Sequence, residues 1–310
     1  MVECKSVKLC VLVVVVVLQL ALTAHCAVPS NVSVAKRPIF MEYIGASGLP
    51  VKFEVPVNKD VDFYYILSFA VDASANGTYN NGNFVEMWSS DLTRDEVAKV
   101  KEENTNVKVL MSLCGWSIYN ISGLDQPLFW YDPKDKEEWL DNAYSSIMGL
   151  VKHYNLDGID VDYENFERRN NFSSTMGELL ERLRKEEQVK VVTIAPFNWM
   201  ITSYIELFQA FNESIDYVNY QFYADAVPNA TEYLATYNQK ARIFGVEKMI
   251  PSYEINGRGV QGQAWWDSLA LIHTQNSIPG LMIWSADESA PLHYYYEIQA
   301  QELLANGTYS

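Results

Sequence analysis

The sequence predicts an α/β fold, a single (β/α)8 TIM barrel, and three observations carry that expectation. Eight apolar segments read as strands, and nearly every one is followed by a segment with helical periodicity. They recur at intervals of about 25 to 50 residues with no break in composition between them. The 310-residue chain, 49% hydrophobic, can fill one large core. Strands alternating with helices form parallel sheets, and eight such units close into a barrel. A doubly wound open sheet is the competing arrangement.

Residues 1–26 stand apart from this pattern. Lys5 and Lys8 precede the apolar run Leu9 to Leu22, and small residues follow around Thr23 to Ala27. That order is the pattern of a secretory signal peptide cleaved near Cys26 or Ala27, and the apolar run is short for a membrane anchor. Residues 27–310 are then read as one domain. Pro38 to Gly45 and Asp62 to Val71 are the first two strands. Thr93, with Glu96 three residues on, caps a helix, and Val107 to Leu113 is the third strand. Lys134 to Tyr154 carries Trp139, Ala143, Ile147, Leu150 and Val151 at helical spacing and runs into an acidic fourth strand. The remaining strands are Val189 to Ala195, Ile215 to Tyr223, Lys248 to Tyr253 and Gly280 to Ser285. Between and after them, Ser173 to Gln188, Tyr204 to Phe211, Thr231 to Arg242, Gln263 to Gln275 and Leu292 to Leu304 read as helices.

The fourth strand carries the chemistry. In Asp157-Gly-Ile-Asp160-Val-Asp162-Tyr-Glu164, the last three carboxylates stand at two-residue spacing, so an extended chain projects them to one face, with Ile159, Val161 and Tyr163 on the other. Same-face neighbours in a strand lie about 7 Å apart, and two full charges there repel by roughly 2 kcal/mol at an effective dielectric of about 20. Repulsion and burial therefore raise at least one carboxyl pKa, and a carboxylic acid that keeps its proton near neutral pH can protonate a leaving group. Glu164, last in the row, is the candidate acid. A solvated acidic edge and a metal loop are the competing readings, although the segment lacks the residue order of a calcium loop.

Composition narrows the partners. A formal net charge of -16 disfavours nucleic acid and anionic membranes. With Cys4, Cys10 and Cys26 in the signal segment, Cys114 is left alone, so no internal disulfide is expected. Cys114 itself reads as a small buried apolar residue rather than a nucleophile. Asn-x-Ser/Thr sequons begin at Asn31, Asn76, Asn120, Asn171, Asn212, Asn229 and Asn306, an excess that fits the secretory route and marks candidate glycosylation sites. His153 and His273 fall in helical patterns away from any metal-ligand pattern, and no metal or cofactor is expected.

The row Asp157, Asp160, Asp162 and Glu164 matches the Asp-x-x-Asp-x-Asp-x-Glu signature of glycoside hydrolase family 18. The chain resembles its plant bulb-type chitinases in Leu67-Ser-Phe-Ala, Ile194-Ala-Pro-Phe, Asn219-Tyr-Gln-Phe-Tyr and Met282-Ile-Trp-Ser-Ala-Asp. That resemblance implies a retaining endochitinase acting on β-1,4-linked N-acetylglucosamine polymers, with the substrate's own acetamido group as nucleophile. Glu164 would protonate the glycosidic oxygen. Asp162 would orient the acetamido group, and Asp160 would share a proton with Asp162. The resemblance also implies that Tyr223 holds the acetamido oxygen, that Gln221 contacts substrate, and that Trp284 is the floor beneath the reactive sugar. Tyr43, Trp116 and Trp199, at or just past strand ends, are candidates to line sugar subsites. Ser112 and Asp157 are expected to support the acidic row by hydrogen bonding. Where the family has Ser-x-Gly-Gly, this chain has Ser112-Leu-Cys114-Gly115, placing a side chain where glycine lets sugar approach the backbone. The implied partner is chitin or chito-oligosaccharide, met by a secreted or vacuolar monomer that is free of membrane after signal removal, with a role in defence. A carbohydrate-binding or storage protein without turnover and an endo-β-N-acetylglucosaminidase acting on N-glycans are the alternatives.

Overall fold

The computed structural model describes residues 37–47, 49–116, 127–166 and 170–307. The expected signal segment, Asn31 and Asn120 lie outside the described residues. The strands are β1 (Ile39–Ile44), β2 (Asp62–Val71), β3 (Val85–Glu86), β4 (Val107–Cys114), β5 (Gly158–Asp162), β6 (Val191–Ile194), β7 (Tyr217–Asn219), β8 (Met249–Ile250), β9 (Ser252–Glu254) and β10 (Gly280–Trp284). The helices are α1 (Arg94–Glu103), α2 (Lys136–Tyr154), α3 (Phe172–Leu183), α4 (Ile201–Phe211), α5 (Ala230–Phe244), α6 (Gln263–His273), α7 (Ala286–Ser289) and α8 (Tyr295–Asn306).

Hydrogen bonding joins the strands in the order β8, β7, β6, β5, β4, β2, β1, β10, β9, every pairing parallel. β8 and β9 are consecutive halves of one barrel strand, interrupted at Pro251, which has no N–H to donate. β8 pairs with β7 and β9 pairs with β10, so the ends of the order meet and the (β/α)8 barrel closes. The seventh strand, expected as one run from Lys248 to Tyr253, is split for this reason. β3, which no sequence pattern signals, is a short antiparallel addition to the end of β2, with Ala70 opposite Glu86.

Local signals account for the helix ends. Thr93 caps α1 by accepting from the Glu96 N–H at 3.3 Å, and Asp135 does the same for α2 from Glu138 at 3.1 Å. α2 stops at Asn155, which takes the left-handed conformation, and α5 stops at Gly245. Helix α3 ends at Leu183, earlier than the expected Gln188, because Lys185 to Val189 form turns closed by bonds to Arg182, Leu183 and Glu186 carbonyls.

Alternation along each strand sorts side chains into two apolar layers. Ile39, Met41, Ile66, Leu110, Val191, Ile250 and Met282 fill the barrel interior. Phe40, Ile44, Leu67, Val109, Ile159 and Val161 pack outward with helix residues such as Trp139, Leu179, Tyr204 and Trp265. Side chains of this size stabilise by about 1.5 to 3 kcal/mol each when fully buried, and Cys114, the cysteine among the described residues, is free. Strand register then sets the polar residues: Ser112 on β4 lies beside Asp160 on β5, and Asp160 beside Thr193 on β6.

Candidate active site

The acidic row rises from the barrel interior to its C-terminal rim. Asp160 and Asp162 belong to β5 and are 0% and 3% exposed, whereas Glu164 lies two residues past the strand and is partly open. The row thus spans a gradient from dry core to cleft.

Asp160 is held by four donors. Tyr43 Oη and Ser112 Oγ donate to Oδ2 at 2.9 and 2.7 Å, and Thr193 Oγ1 and Asn219 Nδ2 donate to Oδ1. Burial raises its pKa, and the four donors pull it back toward the anion. Asp162 accepts from Gln221 Nε2 at 2.9 Å. Burial, then Glu164, then Asp160 push its pKa well above the ordinary carboxylate range. Between these two, Asp160 is the better-solvated anion and Asp162 the better home for a proton. Glu164 accepts from the backbone N–H of Trp116 at 3.1 Å. Burial raises its pKa to about 7, against the opposing pull of that N–H, of Arg258 and of Gln221.

Beyond the row, the structure gathers most of the expected residues. Asp162, Glu164, Gln221, Tyr223 and Trp284 share a cavity of about 230 Å3 with Trp116 and Arg258. Trp284, at the end of β10, stacks on Phe69 at 5.9 Å between centroids and meets Tyr43 at 5.3 Å. A wider cavity of about 630 Å3 continues past Glu164 over Trp116, Phe197, Asn198, Trp199, Tyr223 and Asp225. Trp116 and Trp199, which line it, are 44% and 86% exposed.

Four expectations change. Gln221 and Tyr223 do not extend a long sixth strand: β7 ends at Asn219, and Phe222–Ala224 form a 3-10 turn at the rim. Tyr43 does not face an open subsite. Its ring is 1% exposed, and its hydroxyl serves Asp160. Asp157 does not support the row, because it precedes β5 at the opposite end of the barrel. There Lys101 and Lys190 pair with its carboxylate at 2.7 and 3.1 Å, and the Val109 N–H bonds it at 3.1 Å. Cys114 does not narrow the cleft. Its φ of +74° places the side chain, 2% exposed, among the outer-layer apolar residues, and burial pushes its thiol pKa far up. The adjoining Gly115, at φ +105°, has no room for a side chain because a Cβ there would strike the Phe69 ring.

Thr193, Asn219 and Arg258 were missed in the sequence. Thr193 is the one polar residue in β6 (Val-Val-Thr-Ile), and Arg258 is a cation in a glycine-rich loop following a barrel strand. Both are signals that a closer reading of strand ends would use. Among the sequons, Asn76, Asn229 and Asn306 are exposed, whereas Asn171 and Asn212 are half-buried. Among the described residues no cluster of three His, Cys, Asp or Glu is placed to hold a metal ion, and no helix is long and apolar enough to cross a membrane.

A parallel barrel with a carboxylate row on its fourth strand and an indole lining the cavity at the end of its last defines a glycoside-hydrolase type of site. The chain belongs to glycosyl hydrolases family 18, whose family model matches residues 50–264. It is 36% identical over 280 residues to Chitinase 1 of Tulipa saxatilis subsp. bakeri, spanning 86% of this chain and 87% of that one. A family 18 chitinase catalytic domain from the fern Peteris ryukyuensis superposes with a TM-score of 0.81 at 35% identity, covering 86% of this chain and 99% of that one. The family 18 chitinase of Crocus vernus superposes at 0.79 and 31% identity, with the same coverage. A shorter likeness, 32% over 142 residues (44% of this chain, 47% of the other), links it to the RuBisCO-associated protein of Glycine max.

Proposed function

We propose that this protein is a secreted, retaining endochitinase that cleaves β-1,4-linked N-acetylglucosamine polymers with the substrate's own acetamido group as nucleophile. The observation that carries this reading is Glu164: a carboxyl with pKa near 7 at the junction of the two cavities, anchored by the Trp116 N–H and flanked by Asp162. The reactive sugar would sit over Trp284 in the smaller cavity, its leaving group in the larger one. Glu164 gives its proton to the glycosidic oxygen as the C1–O bond breaks, and the acetamido oxygen closes on C1. Asp162 accepts from the acetamido N–H and balances the oxazolinium charge, with the Tyr223 hydroxyl on the acetamido oxygen. Water, deprotonated by the Glu164 carboxylate, then reopens the ring with the original anomeric configuration. The acetamido group takes the place of a second carboxylate nucleophile.

Asp160 tunes this cycle from below: in the free site its four donors hold it as the anion and the shared proton rests on Asp162. That proton passes to Asp160 as the oxazolinium forms, leaving Asp162 the carboxylate that balances its charge. Trp116 and Trp199 offer indole faces to sugars beyond the cleavage point. Secretion to the apoplast or vacuole, glycosylation at the exposed sequons, a monomeric state and a role in defence complete the reading. They are supported by the signal-like N terminus, the sequon excess and the likeness to plant chitinases.

The test is incubation of the protein and of Glu164→Gln with a chitin hexasaccharide, resolving product lengths and anomers. Internal cleavage to β-anomers, lost by at least a thousandfold in the variant, is the expected result. A second reading, a carbohydrate-binding protein without turnover, draws on the likeness to a relative whose name carries no enzymatic activity. Intact hexasaccharide that binds the wild-type protein would favour it. Cleavage of an N-glycan core in place of chitin would point to the endo-β-N-acetylglucosaminidase alternative.

A further inference from the structure

We propose that Arg258 is a positioning residue of this site, braced on the Tyr223 ring, which sets the charge balance of Glu164 from the open side of the cavity. The proposal rests on the catalytic reading above and extends it to a residue on the loop between β9 and α6.

The loop is built to hold the guanidinium in place. Glu254, 3% exposed at the end of β9, accepts from the Arg258 backbone N–H at 2.7 Å and from its Nε at 3.0 Å. The guanidinium carbon lies 5.2 Å from the centre of the Tyr223 ring. Next in sequence, Gly259 has φ +72°, and a Cβ there would come within 2.7 Å of Tyr223 Cα, so glycine is what lets the loop rest on the turn carrying Tyr223. A carboxylate below and an aromatic face beside it thus fix a side chain that is itself 60% exposed.

Among the described residues lining the two cavities, Arg258 is the cation, and it lines both together with Glu164. The other described titratable groups that act electrostatically on Glu164 or share its cavity carry negative charge or gain it on ionising: Asp162 on β5, the outward-packed Cys114 on β4 and Tyr204 on α4, and Tyr223 and Asp225 after β7, with Asp160 acting behind Asp162 and Glu254 behind Tyr223. A positive charge here favours the carboxylate left after Glu164 has given up its proton. It makes Glu164 a stronger acid in the first half-reaction and, by the same amount, a weaker base toward water in the second.

The experiment is a 13C titration of the Glu164 carboxyl, assigned with Glu164→Gln, in wild type, Arg258→Gln, Arg258→Lys and Glu254→Gln. The pH dependence of hexasaccharide cleavage is measured alongside. Removing the charge should raise the Glu164 midpoint by about half a pH unit, the effect of one contact-range charge at solvent-like dielectric. Arg258→Lys should return most of that shift. Glu254→Gln, which leaves Arg258 charged and uncompensated, should move the midpoint the other way, and it decides the matter if Arg258→Gln does not fold. Midpoints that coincide in folded variants would overturn the proposal and leave Arg258 a loop clip. Absence of cleavage in wild type would remove the catalytic reading, while the titration still decides the role of Arg258.

Discussion

Tyr43 on the first strand donates its hydroxyl to Asp160 Oδ2 at 2.9 Å, joining residues 117 positions apart inside the barrel. Removing that donor with Tyr43→Phe leaves Asp160 a less favoured anion, raising its pKa further and drawing the proton away from Asp162. A hydrogen bond to a buried carboxylate is worth about 2 kcal/mol. Urea unfolding should register a loss of about that size, and chito-oligosaccharide cleavage should slow about tenfold. Unchanged stability and rate would show that the three remaining donors suffice.

The alkaline limb of the pH profile follows from Glu164, whose carboxyl must be protonated to act. With its pKa raised to about 7 by burial, kcat/KM should fall tenfold per pH unit above about 7. The same shift has a stability consequence of definite sign. A carboxyl whose folded pKa exceeds its unfolded value contributes fully at pH below about 4.3, and that contribution is lost as pH rises through about 7. Glu164→Gln should therefore melt higher than wild type at pH 8 and show little difference at pH 4, as scanning calorimetry would reveal.

Asp157 separates structural from catalytic acidity. Truncation to alanine leaves Lys101, Lys190 and the Val109 N–H without their shared carboxylate at the far end of the barrel. The cost should be about 2 to 4 kcal/mol in chemical denaturation. The midpoint of the pH–rate profile should stay where it is, because that end of the barrel does not touch the cleft. A displaced midpoint would mean that the charge is felt along β5.

Cys114 tests the departure from glycine. Cys114→Gly relieves a left-handed backbone, worth about 1 kcal/mol, and gives up a small buried side chain of similar worth. Stability should stay within about 1 kcal/mol of wild type. KM for oligosaccharide should change less than twofold. In the native wild type the buried thiol should resist a disulfide reagent at pH 8 and react fully in denaturant. Rapid native labelling, or a large gain in affinity on substitution, would place the side chain in the cleft after all.

Much of this was legible in the chain itself. Alternating strand and helix periodicity named the barrel, Asp62 to Val71 was bounded correctly as its second strand, and two-residue spacing aligned Asp160, Asp162 and Glu164. Such signals are local: side-chain period, caps and charge spacing act over a few residues, so they are written where they can be read. What the sequence by itself determined was therefore the architecture and the acidic row. Tertiary structure alone decided that Tyr43 is a donor to Asp160 and not a sugar platform, that Asp157 belongs to a lysine pair at the other end, and that Arg258 lies over Tyr223 and lines the cavity that holds Glu164. It likewise joined Ser112, Thr193 and Asn219 to one carboxylate. The physical reason is register and closure. Which residues of separate strands share a layer, and how far a loop folds back over the rim, depend on contacts between segments tens of residues apart, 117 for Tyr43 and Asp160, that no local pattern encodes.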